Sequence, residues 1–246
     1  MIYEPMNLTA MNYHQHQHNK IWAIIPAAGS GSRFSKTALK QYQIIQEQTV
    51  LQHTVARIMQ LDVAGCVLAI GENDHFAKTL SFENNHKLHF CLGGKERVNS
   101  VLNALQYLSK ITSEDDWVMV HDAARPCVDL SSLNELIETA IAQNTHAILA
   151  TPVRDTLKKS SLNNSIEKTV SREFLWQAQT PQMSKIGTLK RAIEQALVAQ
   201  VNITDEASAL EFIGESVQLV QGRADNIKIT YPEDLILAKL ILESQK

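Results

Sequence analysis

Short apolar runs alternate with amphipathic segments along the chain from residue 21 onwards. The runs have the length of buried strands and are Ile21–Ile25, Cys66–Ile70, Leu88–Leu92, Trp117–Val120, Ala147–Ala150 and Val217–Val220. Apolar residues at helical spacing lie between them, in residues 98–108, 130–141 and 193–201 and in the segment that Pro232 opens. Strands that alternate with helices form parallel sheets covered on both faces. The pattern therefore predicts an α/β fold with a mostly parallel twisted sheet and helices on both faces.

The segment Val153–Gln177 interrupts this alternation. It is polar and contains a turn signal at Leu162–Ser165. We interpret it as an extended β arm that projects from the domain. The residues alone leave two roles open for it, a dimerisation arm and a surface insertion.

Three loops rich in small or charged residues follow apolar runs directly. They are PAAGSGSR at residues 26–33, GGKERVNS at 93–100 and HDAARP at 121–126. Ligands of such sheets bind beyond the carboxyl ends of the strands. We therefore expect the three loops to converge on one rim and to form one site.

The first of these loops has the character of a phosphate-binding loop. Ala27, Ala28 and Gly29 leave the backbone N–H groups uncovered, so that the main chain can wrap a polyphosphate. Arg33 and Lys40 add two cations that can reach the same charge. The loop lacks the Gly-Lys-Ser/Thr of a P-loop, and Phe34 stands where a dinucleotide fingerprint needs a small residue.

The other loops supply a carboxylate and further cations. Asp122, at the end of an apolar strand, can hold Mg²⁺ or accept a hydrogen bond from a ribose hydroxyl, and Arg125 can bind an anion bidentately. The alternative is that Asp122 caps a turn and pairs with Arg125. Asp225 is a candidate second metal ligand, and Lys228, which we place on a strand, is a candidate third cation. Thr204 is predicted to cap a helix and also to be able to contact a phosphate.

Two further positions stay open at this stage. In the second loop, Ser100 and the backbone at Gly94 can read a base edge, whereas Arg97 is equally compatible with a functional and a structural role.

No residue pattern indicates covalent catalysis. A phosphate monoester is largely dianionic at neutral pH, so it can attack phosphorus without a general base.

Bulk properties narrow the function classes. With 246 residues, a net charge of −3 and a pI of about 6.3, the chain carries no basic field that would attract nucleic acid. The three cysteines form no CxxC pair, which favours a reducing cytoplasm, and no apolar run is long enough to cross a membrane. Residues Met1–Lys20 are polar with alternating histidines, and we expect a disordered extension there, followed by a single domain at 21–246.

The motifs, taken together, resemble those of the 2-C-methyl-D-erythritol 4-phosphate cytidylyltransferases. The matching segments occur in the family's order over about Ile21 to Ile241 and are PAAGSGSR, LKQ, GGKERVNSV, HDAARP, PVRDT, TPQ, TDEASALE and GRADNIKIT. The resemblance implies a fold like that of the nucleotide-diphospho-sugar transferases. It also implies transfer of a cytidylyl group from CTP to methylerythritol 4-phosphate with release of pyrophosphate, with Mg²⁺ as cofactor.

The resemblance also implies residue roles. The expected cations around the α-phosphate are Arg33, Lys40 and Lys228. The expected nucleotide contacts are Ala27, Ala28, Gly29, Gly94, Ser100, Asp122 and Ala123, with Asp122 and Asp225 as metal ligands. The expected methylerythritol phosphate contacts are Arg125, Thr156, Arg172, Thr180 and Thr204. In the family a swapped arm reaches the partner's site, which would assign Thr156 and Arg172 to the neighbouring subunit of a homodimer.

Three positions depart from the family pattern, and two other functions remain as alternatives. Leu39 stands where proline is usual, Phe34 where methionine is usual, and Lys95 where an acid is frequent. One alternative is a cytidylyltransferase for another polyol phosphate such as ribitol 5-phosphate. The other is a nucleotide-binding module without catalysis.

Overall fold

The computed structural model of the chain describes residues 19–29, 31, 34–35 and 39–245. The strands are β1 (Ile21–Pro26), β2 (Ile44–Ile45), β3 (Gln48–Thr49), β4 (Gly65–Ile70), β5 (Leu88–Leu92), β6 (Trp117–Val120), β7 (His146–Pro152), β8 (Leu157–Ser160), β9 (Ile166–Val170), β10 (Trp176–Lys185) and β11 (Val217–Gln221). The helices are α1 (Val50–Met59), α2 (Phe76–Thr79), α3 (Arg97–Leu108), α4 (Leu130–Ala142), α5 (Ile186–Val198), α6 (Glu206–Phe212) and α7 (Asp234–Ser244). Of the predicted extension, only Asn19 and Lys20 lie within the described residues.

A seven-stranded sheet organises this part of the chain. Its strand order is β11-β7-β10-β6-β1-β4-β5. β1 pairs in parallel with β4 and β6, β4 with β5, and β7 with β11, whereas β10 is antiparallel to both β6 and β7. All six apolar runs form strands of this sheet, and the prediction of a mostly parallel α/β sheet is confirmed.

The two faces of the sheet have separate cores because side chains alternate along each strand. On β1, Ala23 and Ile25 pack into a cluster that includes residues of α1 and α4. Trp22 and Ile24 point to the opposite face, where α3, α5 and α6 supply the partners. The helices thus cover both faces of the sheet. The loops that follow its parallel strands lie at one edge, which we call the rim.

A third apolar cluster lies beside that rim and supports the site. Buried side chains of α7, Ala238 and Leu242, pack there with Cys127 and Ile229. The segment that carries Ile229 is bound to the loop after β6, because the N–H of Ile229 donates to the carbonyl oxygen of Ala124 at 2.9 Å. The core of α7 therefore fixes the backbone on both sides of Lys228.

Some boundaries differ from the sequence-based predictions. Residues 222–230 form no strand, so Lys228 lies on an irregular segment, because Ile227 and Ile229 pack against the α7 cluster rather than join the sheet. Asp205, not Thr204, caps α6. Its carboxylate accepts a hydrogen bond from the N–H of Ser208, and the Ser208 hydroxyl accepts one from the N–H of Asp205. The cap lies one residue later than predicted because Asp205 and Ser208 complete a reciprocal capping box.

The predicted arm is present as an exposed hairpin. β8 and β9 pair antiparallel in a two-stranded sheet of their own. The turn falls at the predicted position, where Asn164 has a left-handed backbone and the N–H of Ser161 donates to the carbonyl oxygen of Ser165 at 2.9 Å. The end of the predicted arm overlaps β10, whose first residues pair with the end of β7.

Candidate functional site

The three loops meet at a cavity on the rim of the sheet, which we call the loop cavity. Its volume is about 370 Å³. Of the predicted site residues, it brings together Ala27, Gly29, Lys40, Gly94, Ser100, Asp122, Ala123 and Lys228. Those residues come from five separate parts of the chain, so the predicted convergence of the loops is confirmed.

The first and second loops are packed so closely that a side chain at Gly93 has no room. A Cβ atom there would lie 2.3 Å from the Cβ of Ala28 and 3.1 Å from the hydroxyl of Ser100. The N–H of Gly93 also donates to the carbonyl oxygen of Ile70 at 2.7 Å. This contact explains the glycine at position 93 and places Ala28 against the second loop.

Hydrogen bonds to backbone carbonyl oxygens position the first loop beside the cavity. The side-chain amide of Gln41, itself buried, donates to the carbonyl oxygen of Ala27 at 2.9 Å. Lys40 is tied to the far side, since its ammonium donates to the carbonyl oxygen of Ile229 at 2.9 Å. Arg33, predicted as a cation of this loop, lies outside the described residues.

The second loop presents a backbone surface suited to a base. The hydroxyl of Ser100 accepts from the N–H of Gly94 at 2.9 Å and lies 3.2 Å from the carbonyl oxygen of Glu96. Glu96 caps α3 with its side chain, so its carboxylate serves the helix terminus. The loop is thus fixed by its own hydrogen bonds at Gly94, which lines the cavity.

Asp122 is the electrostatic centre of the site. Its Oδ1 lies 2.9 Å from Nε of Arg97, and its Oδ2 lies 2.8 Å from Nζ of Lys228 and 3.5 Å from Nε of Arg125. Burial would raise the pKa of this carboxyl, but the three cations, with Arg97 first, hold it well below its ordinary value. Asp122 is therefore a permanent anion at neutral pH.

A neutral hydrogen-bond chain supports the backbone of Asp122. The hydroxyl of Thr180 accepts from the N–H of Asp122 and lies 3.0 Å from Nδ1 of His121, whose Nε2 lies 3.0 Å from the carbonyl oxygen of Arg125. Burial lowers the pKa of His121 to about 4, so the ring is neutral. The pattern assigns the proton to Nε2 and makes Thr180 the donor to Nδ1. Thr180, predicted as a substrate contact, is thus buried behind Asp122, and that contact stays a prediction.

A second cavity, which we call the arm cavity, adjoins the first at Lys228. Its volume is about 580 Å³, and its lining includes Arg125, Arg154, Gln179 and Lys228. The guanidinium of Arg125 donates to the carbonyl oxygen of Asn226 at 2.6 Å. Lys228 lines both cavities. The arrangement places a cation at the junction of two spaces, each large enough to hold a phosphorylated ligand.

Three further predicted substrate contacts are not part of the lining of either cavity. Thr156 and Arg172 are exposed on the arm, and in the described chain they line neither cavity. Thr204 lines a separate small space of about 70 Å³ together with Arg97 and Glu206. The predicted roles of all three stay predictions.

The donor set fits one protein ligand for a divalent cation. The described residues contain no group of three or more His, Cys, Asp or Glu side chains arranged for a metal ion. Asp122 supplies one ionised carboxylate to the loop cavity, which suits Mg²⁺ bound mainly by water and substrate phosphates. Asp225 instead forms a bidentate pair with Arg223 at 2.6–3.1 Å and lines neither cavity.

Comparisons with known proteins identify the family of the chain. The family model of 2-C-methyl-D-erythritol 4-phosphate cytidylyltransferase matches residues 21–244. The chain belongs to this family. Membership makes it a CTP-dependent nucleotidyltransferase that transfers a cytidylyl group to methylerythritol 4-phosphate in the synthesis of isoprenoid precursors.

Individual relatives agree over nearly the whole chain. A 2-C-methyl-D-erythritol 4-phosphate cytidylyltransferase of Acinetobacter baumannii (strain SDF) is 68% identical over 233 residues, 95% of this chain and 98% of the relative. The crystal structure of a Francisella tularensis family member has a TM-score of 0.77 at 37% identity and covers 90% of this chain and 99% of that one. A 4-diphosphocytidyl-2C-methyl-D-erythritol synthase gives 0.79 at 37% identity, over 91% and 99% of the two chains.

Two features of this family member's site were not found from the sequence. Gln41 appeared only as part of the LKQ motif, and nothing in that motif indicated a buried support for the first loop. Glu206 appeared only as part of the TDEASALE motif, yet it is 3% exposed and binds Arg97. A signal for Glu206 existed, since Arg97 needed a counter-charge, but the chain separates them by more than one hundred residues.

Proposed function

We propose that the loop cavity of this cytidylyltransferase binds CTP, that the arm cavity binds methylerythritol 4-phosphate, and that the phosphates meet at Lys228. The observation that carries the proposal is the position of Lys228, which lines both cavities. The ligand pair of the reaction, a nucleoside triphosphate and a sugar-alcohol phosphate, needs two adjoining anion sites. Arg125, which lines the arm cavity, supplies a second cation to the acceptor phosphate.

The nucleotide is held mainly by backbone groups. The small residues Ala27, Ala28 and Gly29 let the main chain approach the triphosphate, and Lys40 adds charge on the side of Ile229. Gly94, Ser100 and Ala123 surround the place for the cytidine. Arg33 is proposed as a further cation from the sequence pattern alone.

The chemical step is an in-line displacement at the α-phosphorus of CTP. An oxygen of the acceptor phosphate forms the new bond to this phosphorus, and the bond to the β-phosphate oxygen breaks, so that pyrophosphate leaves with the electron pair. The acceptor phosphate is ionised at neutral pH and needs no base. Lys40 and Lys228 stabilise the charge on the α-phosphoryl oxygens, and the loops hold the two phosphates in line.

Mg²⁺ is the proposed cofactor, and Asp122 is the protein group that would hold it. Bound there, the ion would neutralise phosphate charge while retaining several waters. A role for Asp225 as a second ligand requires its carboxylate to leave Arg223. Removal of the ion with EDTA should abolish pyrophosphate release, and added Mg²⁺ should restore it. Unchanged turnover in EDTA would contradict the requirement.

The arm is proposed to form a homodimer in which Thr156 and Arg172 contact the partner's acceptor phosphate. Their exposure on a projecting hairpin supports this, since both side chains are available for a neighbour. Apolar side chains on and beside the arm, including Leu162 and Phe174, are exposed as well.

We further propose a cytoplasmic enzyme. No described helix has the length and apolarity that a membrane crossing requires.

Complementation between two inactive variants tests the arm and the site together. Lys40→Ala and Arg172→Ala should each lower kcat/KM by about 10²–10³-fold, the usual loss for a group that stabilises transition-state charge. After equal amounts are mixed and allowed to exchange subunits, about a quarter of the sites combine an intact Lys40 with an intact Arg172 from the partner. Pyrophosphate release should therefore recover to about a quarter of the wild-type rate.

A second mixture controls for arm contacts within one chain. Lys40→Ala is mixed with Lys228→Ala. If both lysines act in the site of their own chain, every site in the hybrid dimers lacks one of them, so the mixture should recover little activity. No recovery in the first mixture, under conditions where exchange is shown by mass spectrometry, would contradict an arm that works in the partner's site.

A further inference from the structure

Arg97 joins two buried carboxylates that come from different elements. Its Nε binds Oδ1 of Asp122, and its terminal nitrogens bind both oxygens of Glu206 at 2.6 and 3.1 Å. Asp122 follows β6, whereas Glu206 is the first residue of α6. Burial would lower the pKa of the guanidinium, but the charges of Glu206 and Asp122 raise it well above its ordinary value. Arg97 is thus a fixed cation between two loops.

The charges of this cluster do not cancel. It contains three cations, Arg97, Arg125 and Lys228, and two carboxylates, Asp122 and Glu206. Among these five side chains alone, one positive charge is in excess, which is the charge that a single lysine carries. Asp205, whose carboxylate binds Gln182 and the N–H of Ser208, adds a further negative charge beside Glu206.

Lys228 is the member that can leave. Its side chain is 36% exposed, compared with 28% for Arg97 and 12% for Arg125, and it lines both cavities. Its contact to Asp122 is a single ion pair at 2.8 Å, whereas Arg97 is held by two carboxylates. A shift of Lys228 towards an incoming phosphate would leave two cations and two carboxylates, with the buried charges still paired.

We propose that Arg97, anchored by Glu206, is a positioning residue that holds Asp122 so that Lys228 can move from Asp122 to the substrate phosphate. The inference rests on the role proposed for Lys228. Without the guanidinium, Oδ1 of Asp122 loses its ion-pair partner, and Arg125 at 3.5 Å is the remaining cation besides Lys228. Lys228 is then retained by the buried carboxylate, because an unpaired buried charge is costly.

The test is a double-mutant cycle between Arg97 and Lys228. Arg97→Lys keeps the charge but cannot bind two carboxylates at once. The paired variant Arg97→Gln with Glu206→Gln removes both charges and leaves no buried carboxylate of α6 unpaired. In the wild-type background each should lower kcat by about 10- to 100-fold, with KM for CTP changed only a few-fold. In the Lys228→Met background the same changes should cost only a few-fold.

Matched measurements separate positioning from a general loss of structure. Arg191→Lys, at an exposed pair with Glu215 whose nitrogen and oxygen are 3.8 Å apart, repeats the chemical change away from the site and should leave kcat unaltered. Circular dichroism and thermal unfolding of every variant show whether the fold persists. Lys228→Met alone tests the role of Lys228 itself, so full activity there would overturn that role and not merely the role of Arg97.

Three results would overturn the positioning role. One is an equal loss of kcat in the Lys228 and Lys228→Met backgrounds, because independent effects multiply. Another is wild-type kcat in both Arg97 variants. The third is loss of folding in both variants, since the pair would then act on the fold rather than on Lys228.

Discussion

His121 and Asp122 are neighbours in the chain, yet the fold keeps one neutral and the other charged. Asp122 faces three cations in the loop cavity, whereas the ring of His121 points into the protein between Thr180 and the backbone of Arg125. A charge on this ring would be buried, and Thr180 already accepts from the N–H of Asp122. Neutral His121 is therefore a condition for the geometry of Asp122.

This neutrality predicts a pH dependence of stability. The pKa of His121 is about 4 in the folded chain, compared with an ordinary value of 6.5. The unfolded chain therefore takes up the proton first, and the free energy of unfolding should fall as the pH drops from about 6.5 towards 4, by about 3 kcal/mol at most. Denaturant unfolding at several pH values measures this fall.

A His121→Gln variant isolates the contribution of the ring. Burial raises the pKa of Glu206, which contributes to the pH dependence in the opposite direction, so the comparison must be between variants. His121→Gln should be less stable at pH 7 but show a flatter dependence between pH 6.5 and 4. Parallel curves for the two proteins would contradict a neutral buried His121.

Leu39, the departure from the family pattern beside Lys40, is compatible with the local backbone. Its φ is −75°, within the range that a proline ring imposes, and its carbonyl oxygen accepts from the N–H of Tyr42 at 3.1 Å. The chain therefore reaches the geometry of a proline at this position without one. Lys95, the departure in the second loop, is exposed at the edge of the loop cavity.

At the scale of elements, the site depends on how closely loops from adjacent strands pack. Gly71 directly follows β4 and Gly93 directly follows β5, and the two strands are neighbours in the sheet. A Cβ at Gly71 would meet the Cβ of Asp74 at 3.7 Å, an ordinary contact, whereas a Cβ at Gly93 would meet Ala28 at 2.3 Å. A side chain therefore fits at Gly71 but not at Gly93, although the two glycines hold equivalent positions after neighbouring strands.

The pair gives a matched test of loop packing. Gly93→Ala should separate the first and second loops and cost about 1–3 kcal/mol, the usual range for overpacking, with kcat/KM for CTP reduced at least about 10-fold. Gly71→Ala should remain close to wild type in both stability and activity. Thermal unfolding and pyrophosphate release measure the two effects, and equal behaviour of the variants would contradict the contact between Gly93 and Ala28.

The elements also show what the sequence could and could not predict. Strands made of continuous apolar residues were predicted because burial on both faces leaves that pattern. β10 was not, because it carries buried polar side chains such as Gln182, whose amide binds Asp205 and whose oxygen accepts from the N–H of Ala207. Those partners lie more than twenty residues away, so no local pattern marks the strand. The prediction of a strand at Lys228 was wrong because an apolar pattern there has another cause. The apolar residues on either side of Lys228 pack against α7 and not in the sheet.

At the scale of the molecule, the site is an assembly of segments from residue 27 to residue 228. The rim was predictable, because parallel strands place their following loops together. The division into two cavities was not, because it depends on where Arg125 and Lys228 lie relative to the arm. The link from Arg97 to Glu206 was also hidden, since ion pairs between distant segments leave no periodic signal.

The most direct test of the account is a substrate screen that measures pyrophosphate release. CTP, UTP, ATP and GTP are each combined with methylerythritol 4-phosphate or with ribitol 5-phosphate, in the presence of Mg²⁺. The account predicts that CTP with methylerythritol 4-phosphate gives by far the highest kcat/KM and that the product carries the cytidylyl group on the phosphate. A preference for ribitol 5-phosphate or for another nucleotide, or binding of CTP without turnover on either acceptor, would contradict it.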